Sequence, residues 1–150
     1  MILPDFKAFP RSGRIVGVDW GARRVGVAVS DPDRQFVFAR PGLVFARGDM
    51  SHAVRIADFV RAEGAVGIVV GLPVRNDGTE SETTKNVRDF VADLEKYIDL
   101  PICFIEENLT SMAAQESMGR VRVRDLKEKL DSESARVILE NAIALINRAC

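Results

Sequence analysis

The 150 residues are 47% apolar and 29% charged and carry a formal net charge of −1, which excludes a disordered chain and a domain basic over its whole surface. No apolar stretch approaches the ~20 residues that span a bilayer, and the opening MILPDFKAFPRSG is too broken by proline and charge for a signal peptide, so a cytoplasmic protein without membrane contact is expected. Cys103 inside an apolar run and Cys150 at the end fit neither a disulfide framework nor a Cys/His metal pattern.

The length suits one domain, over residues 14–150, with 1–13 as an N-terminal extension. Valine-rich runs at 14–19 and 25–30 flank WGARR, a glycine-containing connection that predicts a β-hairpin. A third run at 36–45 is interrupted by Pro41 and Gly42, which suggests a bend or an edge strand. Ser51 then caps a helix on which Ala53, Ile56, Ala57 and Val60 recur at helical spacing, and Gly64 ends it. His52, next to that cap, is expected at the surface, and Trp20 is expected to pack at the sheet end.

The run AVGIVVGLP at 65–73 shows no alternation, as a strand covered on both faces should, and belongs in the middle of the sheet. After a polar loop a second helix carries Val87, Phe90, Val91 and Leu94 on one stripe, and Pro101 opens another buried strand ending in Glu106 and Glu107. Thr110 or Ser111 caps a short helix to about Met118. The basic segment GRVRVRDLKEK follows at 119–129, and the last helix lines up Ala135, Ile138, Leu139, Ala142 and Ile146, with Asp131 at its opening. Three antiparallel strands followed by helix–strand alternation predict an α/β fold, a mixed five-stranded sheet flanked by helices.

Three acidic positions stand at element ends rather than on solvated helix faces: Asp19, the Glu106–Glu107 pair, and Asp131. Ligands collect beyond the ends of parallel strands, and carboxylates that converge there suit Mg²⁺ or Mn²⁺. Two such ions about 3.5–4 Å apart support phosphodiester hydrolysis without a protein nucleophile. Each acid also has a plainer reading: Asp19 as a turn residue, the glutamates as a strand end reaching water, Asp131 as an N-cap.

These residues resemble the YqgF-type family of Holliday junction resolvases, also described as pre-16S rRNA nucleases. The resemblance runs from about Arg14 to Ile146 and rests on VGVDWGARRVGVAVSD, VVGLPVRNDGTE, EENLTS and KEKLDSESARVILE, four motifs in family order. It implies a ribonuclease H-like fold, catalytic and metal-binding acids at Asp19, Glu107 and Asp131, and a nucleic-acid-facing role for Lys127 and Lys129. The sequence departs from the family pattern at Asn108, where an arginine is usual, and at Glu133 and Ser134, where small residues are usual.

Arg23 and Arg24 in the hairpin turn, and Arg120, Arg122, Arg124, Lys127 and Lys129 in the basic segment, are candidates for contacting a phosphate backbone. Asp31 reads as a turn residue, and Asn76, Asp77 and Gly78 as a loop near the site. The expected function is a divalent-metal-dependent endonuclease acting on structured RNA or branched DNA, as in 5′ processing of pre-16S rRNA during ribosome biogenesis or resolution of Holliday junctions. The alternatives are a non-catalytic nucleic-acid-binding module of the same fold and a nucleotide phosphate-binding protein. A monomer and a homodimer are both compatible with the sequence.

Overall fold

A computed structural model describes residues 1–45, 51–74, 79–107 and 123–149, with the side chains of 123–132 and 149 outside the description. The described elements are β1 (Ile2–Leu3), β2 (Ile15–Asp19), β3 (Arg24–Ser30), β4 (Val37–Val44), α1 (His52–Glu63), β5 (Gly67–Leu72), α2 (Glu82–Leu94), β6 (Ile102–Glu106) and α3 (Val123–Ala149). They form one six-stranded sheet in the order β1, β6, β5, β2, β3, β4. β2 to β4 pair antiparallel, whereas β2 with β5, β5 with β6, and β6 with β1 run parallel. The sheet is mixed as expected but has six strands rather than five. The sixth is Ile2–Leu3, paired with Ile102 and Cys103; two residues ahead of a proline are too few to display a period.

Each face of the sheet has its own core. Val16, Val18, Val25, Val27, Ile68, Val70 and Ile102 pack against the buried stripes of α1 and α2. Ile15, Ala28, Val69 and Cys103 pack against Ala135, Ile138, Leu139 and Ala142 of α3. Gly17 is where α3 comes close to the sheet: a Cβ there would lie 2.9 Å from the Leu139 Cβ and 3.0 Å from the Ala135 carbonyl oxygen. At the opposite edge, the β3–β4 register slips between Val25 and Val27 and leaves Pro41 and Gly42 as a bulge in β4, where the missing proline N–H is harmless.

The helix caps follow the sequence. Ser51 Oγ accepts the Val54 N–H at 3.3 Å, and Gly64 closes α1 in the left-handed region. Ser81 and Thr84 form a reciprocal capping box on α2. The buried Thr84 hydroxyl also donates to the Pro73 carbonyl at 2.5 Å, which ties the exit of β5 to the first turn of α2.

α3 departs from expectation at its start. It begins at Val123, so Asp131 lies inside the helix instead of capping it, and residues 123–129 of the basic segment are helical. The physical reason is composition: VRDLKEKL contains no glycine or proline and is rich in leucine and lysine, which favour helix. The short helix expected from Thr110 or Ser111 to about Met118 lies outside the described residues.

Candidate active site

Strand alternation decides which acids meet. In β2, Val16 and Val18 face α1 and α2 while Ile15 faces α3, so Gly17 and Asp19 share the α3 side. In β5 the same alternation puts Val69 and Gly71 on that side, opposite Ile68, Val70 and Leu72. In β6, Cys103 and Ile105 pack toward α3, and Glu107 continues their phase one residue past the strand. Its N–H donates to the Leu72 carbonyl at 3.1 Å, so the ladder with β5 extends that far. Glu106 falls in the opposite phase and is exposed. Of the two glutamates, Glu107 therefore looks into the site.

Asp19 and Glu107 thus project from the C-terminal ends of two parallel strands on either side of β5, and their carboxyl groups are joined by a hydrogen bond. Between them lies Gly71. A Cβ on that residue would sit 2.9 Å from Glu107 Cδ, 3.0 Å from Glu107 Oε1 and 2.5 Å from Ile138 Cδ1. The Glu107 carboxyl rests in the space that any larger residue would fill, with the tip of Ile138 beside it.

Burial pushes the Glu107 carboxyl up to about 7, against the lowering effect of its hydrogen bond with Asp19. Glu107 Oε2 is buried and has no hydrogen-bond partner among the described residues. An ionised pair at this spot needs a compensating cation, and an all-oxygen donor set with one orphaned lone-pair site suits a hard divalent ion. The residues present fit such a group.

Asp131 stands four and seven residues before Ala135 and Ile138, both buried against the sheet, which is the spacing of one helix face. Its side chain lies outside the described residues, and among the described residues no group of three potential ligands occurs. Asn108, Arg120 and Arg122 are outside the description, as are the side chains of Arg124, Lys127 and Lys129 on α3. Arg23 is exposed in the hairpin turn, and Arg24 opens β3 half-buried, in phase with Ala28 and so on the α3 side. Glu133 does not add a free acid to the cluster, because Arg136 Nε and Nη2 donate to its Oε2 at 2.9 and 2.7 Å. Asp31 forms the expected turn, its Oδ1 accepting the Phe36 N–H at 2.7 Å. His52 is half-buried, stacked on Phe45 beside Trp20.

Gly71 is the residue that sequence reading passed over, although its place two residues before Pro73 at the end of a central strand marked the sheet edge where ligands gather. Gly71→Ala is expected to destabilise the fold by about 2 kcal/mol, since a methyl in a filled space forces neighbours from their rotamers. Because one of those neighbours is Glu107, cleavage should fall by more than the loss of folded protein explains. Urea unfolding and initial rates on the same preparation check this, and a variant as stable and active as the parent contradicts it.

The chain matches the family model described as "RuvX: Holliday junction resolvase" over residues 13–144. It is 37% identical over 133 residues to a protein of Maridesulfovibrio salexigens named "Putative pre-16S rRNA nuclease", covering 87% of this chain and 98% of that one. A Sulfurihydrogenibium protein of the same name is 36% identical over 129 residues, covering 85% and 87%. Among solved structures, T. thermophilus RuvC in complex with Holliday junction substrate superposes with a TM-score of 0.56 at 10% identity, covering 91% of this chain and 97% of that one. That likeness speaks for the fold, which is the ribonuclease H-like α/β architecture that the family resemblance implies.

Proposed function

The chain belongs to the RuvX family of Holliday junction resolvases, and from that premise we propose a nuclease that hydrolyses phosphodiester bonds of structured nucleic acid at Asp19, Glu107 and Asp131. The observation that carries the proposal is the half-buried, hydrogen-bonded Asp19–Glu107 pair over Gly71, with the buried Oε2 of Glu107 lacking a partner among the described residues. Mg²⁺ or Mn²⁺ bound there supplies charge neutralisation, an activated water and stabilisation of the leaving oxygen. Two ions, held by the three acids together, are the proposed complement.

The chain's own residues do the rest. Asp19 and Glu107 present oxygens from rigid strand ends, which fixes their separation better than loop residues could. Ile138 closes the floor beside Glu107, so one side of the carboxyl is shielded from water and the pair stays sensitive to added charge. Arg23 and Arg24 in the hairpin, and Arg120, Arg122, Arg124, Lys127 and Lys129 along the basic segment, are proposed to neutralise substrate phosphates.

The names carried by the relatives favour pre-16S rRNA as substrate, with four-way DNA junctions as the competing one. The test is cleavage of both substrates in Mg²⁺, in Mn²⁺ and in EDTA. Cleavage is expected only with a divalent cation, and product at an unchanged rate in EDTA overturns the metal mechanism. Binding of either nucleic acid without cleavage in any metal would instead assign a non-catalytic module of the same fold.

A further inference from the structure

We infer that His52 is a positioning residue that holds the Asp19 hairpin in register for catalysis; the inference rests on the nuclease reading wherever turnover is its readout. The turn after Asp19 runs through Trp20, Gly21, Ala22 and Arg23, four residues whose carbonyls are not all used by the β2–β3 ladder. His52 Nε2 lies 3.2 Å from the Gly21 carbonyl oxygen and 2.9 Å from that of Ala22. Both partners are acceptors, so Nε2 carries the hydrogen and one N–H serves both carbonyls.

The ring that delivers this donor is itself held. It stacks on Phe45 with centroids 3.9 Å apart and planes 7° from parallel, and Trp20 lies on it at 5.7 Å. The Arg55 guanidinium covers the Phe45 ring at 4.4 Å and donates to the Val44 carbonyl at 2.7 Å. Phe45 N–H in turn donates to the Arg23 carbonyl at 2.8 Å. His52 is the first residue of α1, fixed there by the Ser51 cap. The turn is therefore pinned at three successive carbonyls by groups from α1 and the end of β4.

Packing alone does not call for histidine. A phenylalanine would fill the same stack, but it would leave the Gly21 and Ala22 carbonyls without their donor. The donor acts two and three residues beyond Asp19, and catalytic carboxylates need placement within about 0.5 Å. A turn free to shift by an ångström would lose up to about 100-fold in rate.

Two variants separate the roles of ring and donor. His52→Phe keeps the stack and removes the N–H; His52→Gln keeps an N–H at similar reach and removes the ring. His52→Phe is expected to speed amide exchange across residues 20–24 and to lower kcat about 10-fold or more, with KM changed less than about twofold. His52→Gln should restore most of kcat despite a lower Tm. Unchanged exchange in His52→Phe overturns the inference whatever the activity. Faster exchange with unaltered kcat overturns it as well, and so does a loss of kcat that tracks Tm in both variants. If the parent protein cleaves nothing in any metal, the nuclease reading fails on its own, and the exchange arm still decides whether His52 clamps the turn.

Discussion

Asp19→Asn is expected to reduce cleavage at least about 10³-fold in kcat while leaving the metal-free protein no less stable than its parent at about pH 8. The two halves of that result come from one geometry. Asp19 and Glu107 face each other through a hydrogen bond in a partly buried site, and burial already pushes Glu107 up to about 7. Above that pH Glu107 carries its charge beside the Asp19 carboxyl, where a second negative charge is unfavourable without a cation. Asparagine removes one charge and offers an N–H to the other carboxylate, so the apo fold gains about 1 kcal/mol or holds even. The same substitution deletes an anionic oxygen on which metal binding depends, and a neutral amide oxygen is a far weaker partner for a divalent ion. Ten-fold in rate corresponds to about 1.36 kcal/mol, so a 10³-fold loss represents about 4 kcal/mol of transition-state stabilisation. Single-turnover cleavage paired with urea unfolding in EDTA reads both. Retained activity removes Asp19 from the proposed mechanism; lost activity with an unfolded chain makes the residue structural.

The acids at strand ends were legible because aspartate and glutamate are poor strand residues, and their position at the limits of apolar runs marked the sheet edge. The choice between Glu106 and Glu107 was not. ICFIE is nearly continuous in hydrophobicity, as a strand buried on both faces must be, so its sequence lacks the alternation that assigns a face. Only pairing with β5 fixes the phase: Gly71 lies opposite Ile105 and Leu72 opposite Glu106, with Glu107 next in line. The start of α3 was misplaced because the cluster of positive charge in 119–129 read as a segment ahead of the helix, although the helix-forming composition of its second half already argued otherwise. The contacts of His52 were not legible for a different reason. Its partners are Trp20, Gly21, Ala22 and Phe45, and no local pattern announces a contact made by folding a hairpin against a helix that comes 30 residues later in the chain. The Ser51 and Gly64 caps of α1 and the apolar stripes of α1 and α2, by contrast, are local and were readable residue by residue.

The stability of the metal-free protein should fall as pH rises from about 5 to about 8, and millimolar Mg²⁺ should flatten that fall. In the folded chain Glu107 keeps its proton until about 7, whereas its ordinary value is 4.5. Between those values the native state binds more protons than the unfolded one, so each step upward in pH favours unfolding. Below about 4.5 the contribution is fully present, and above about 7 it is gone, a difference of order 3 kcal/mol if this carboxyl acted alone. The hydrogen bond from Asp19 works against this rise without cancelling it. A divalent cation competes with that proton for the same oxygens. It binds the ionised pair, so its stabilising effect should be small near pH 5 and largest near pH 8, opposite in sign to the proton's. Melting temperatures across this range with EDTA and with Mg²⁺ test the linkage directly. A pH profile that Mg²⁺ shifts uniformly, or leaves untouched, would mean that the cation and the Glu107 proton do not occupy one site. In Asp19→Asn the Mg²⁺-dependent part of the profile should vanish, which ties the thermodynamic signature to the same two carboxyls that the cleavage assay interrogates.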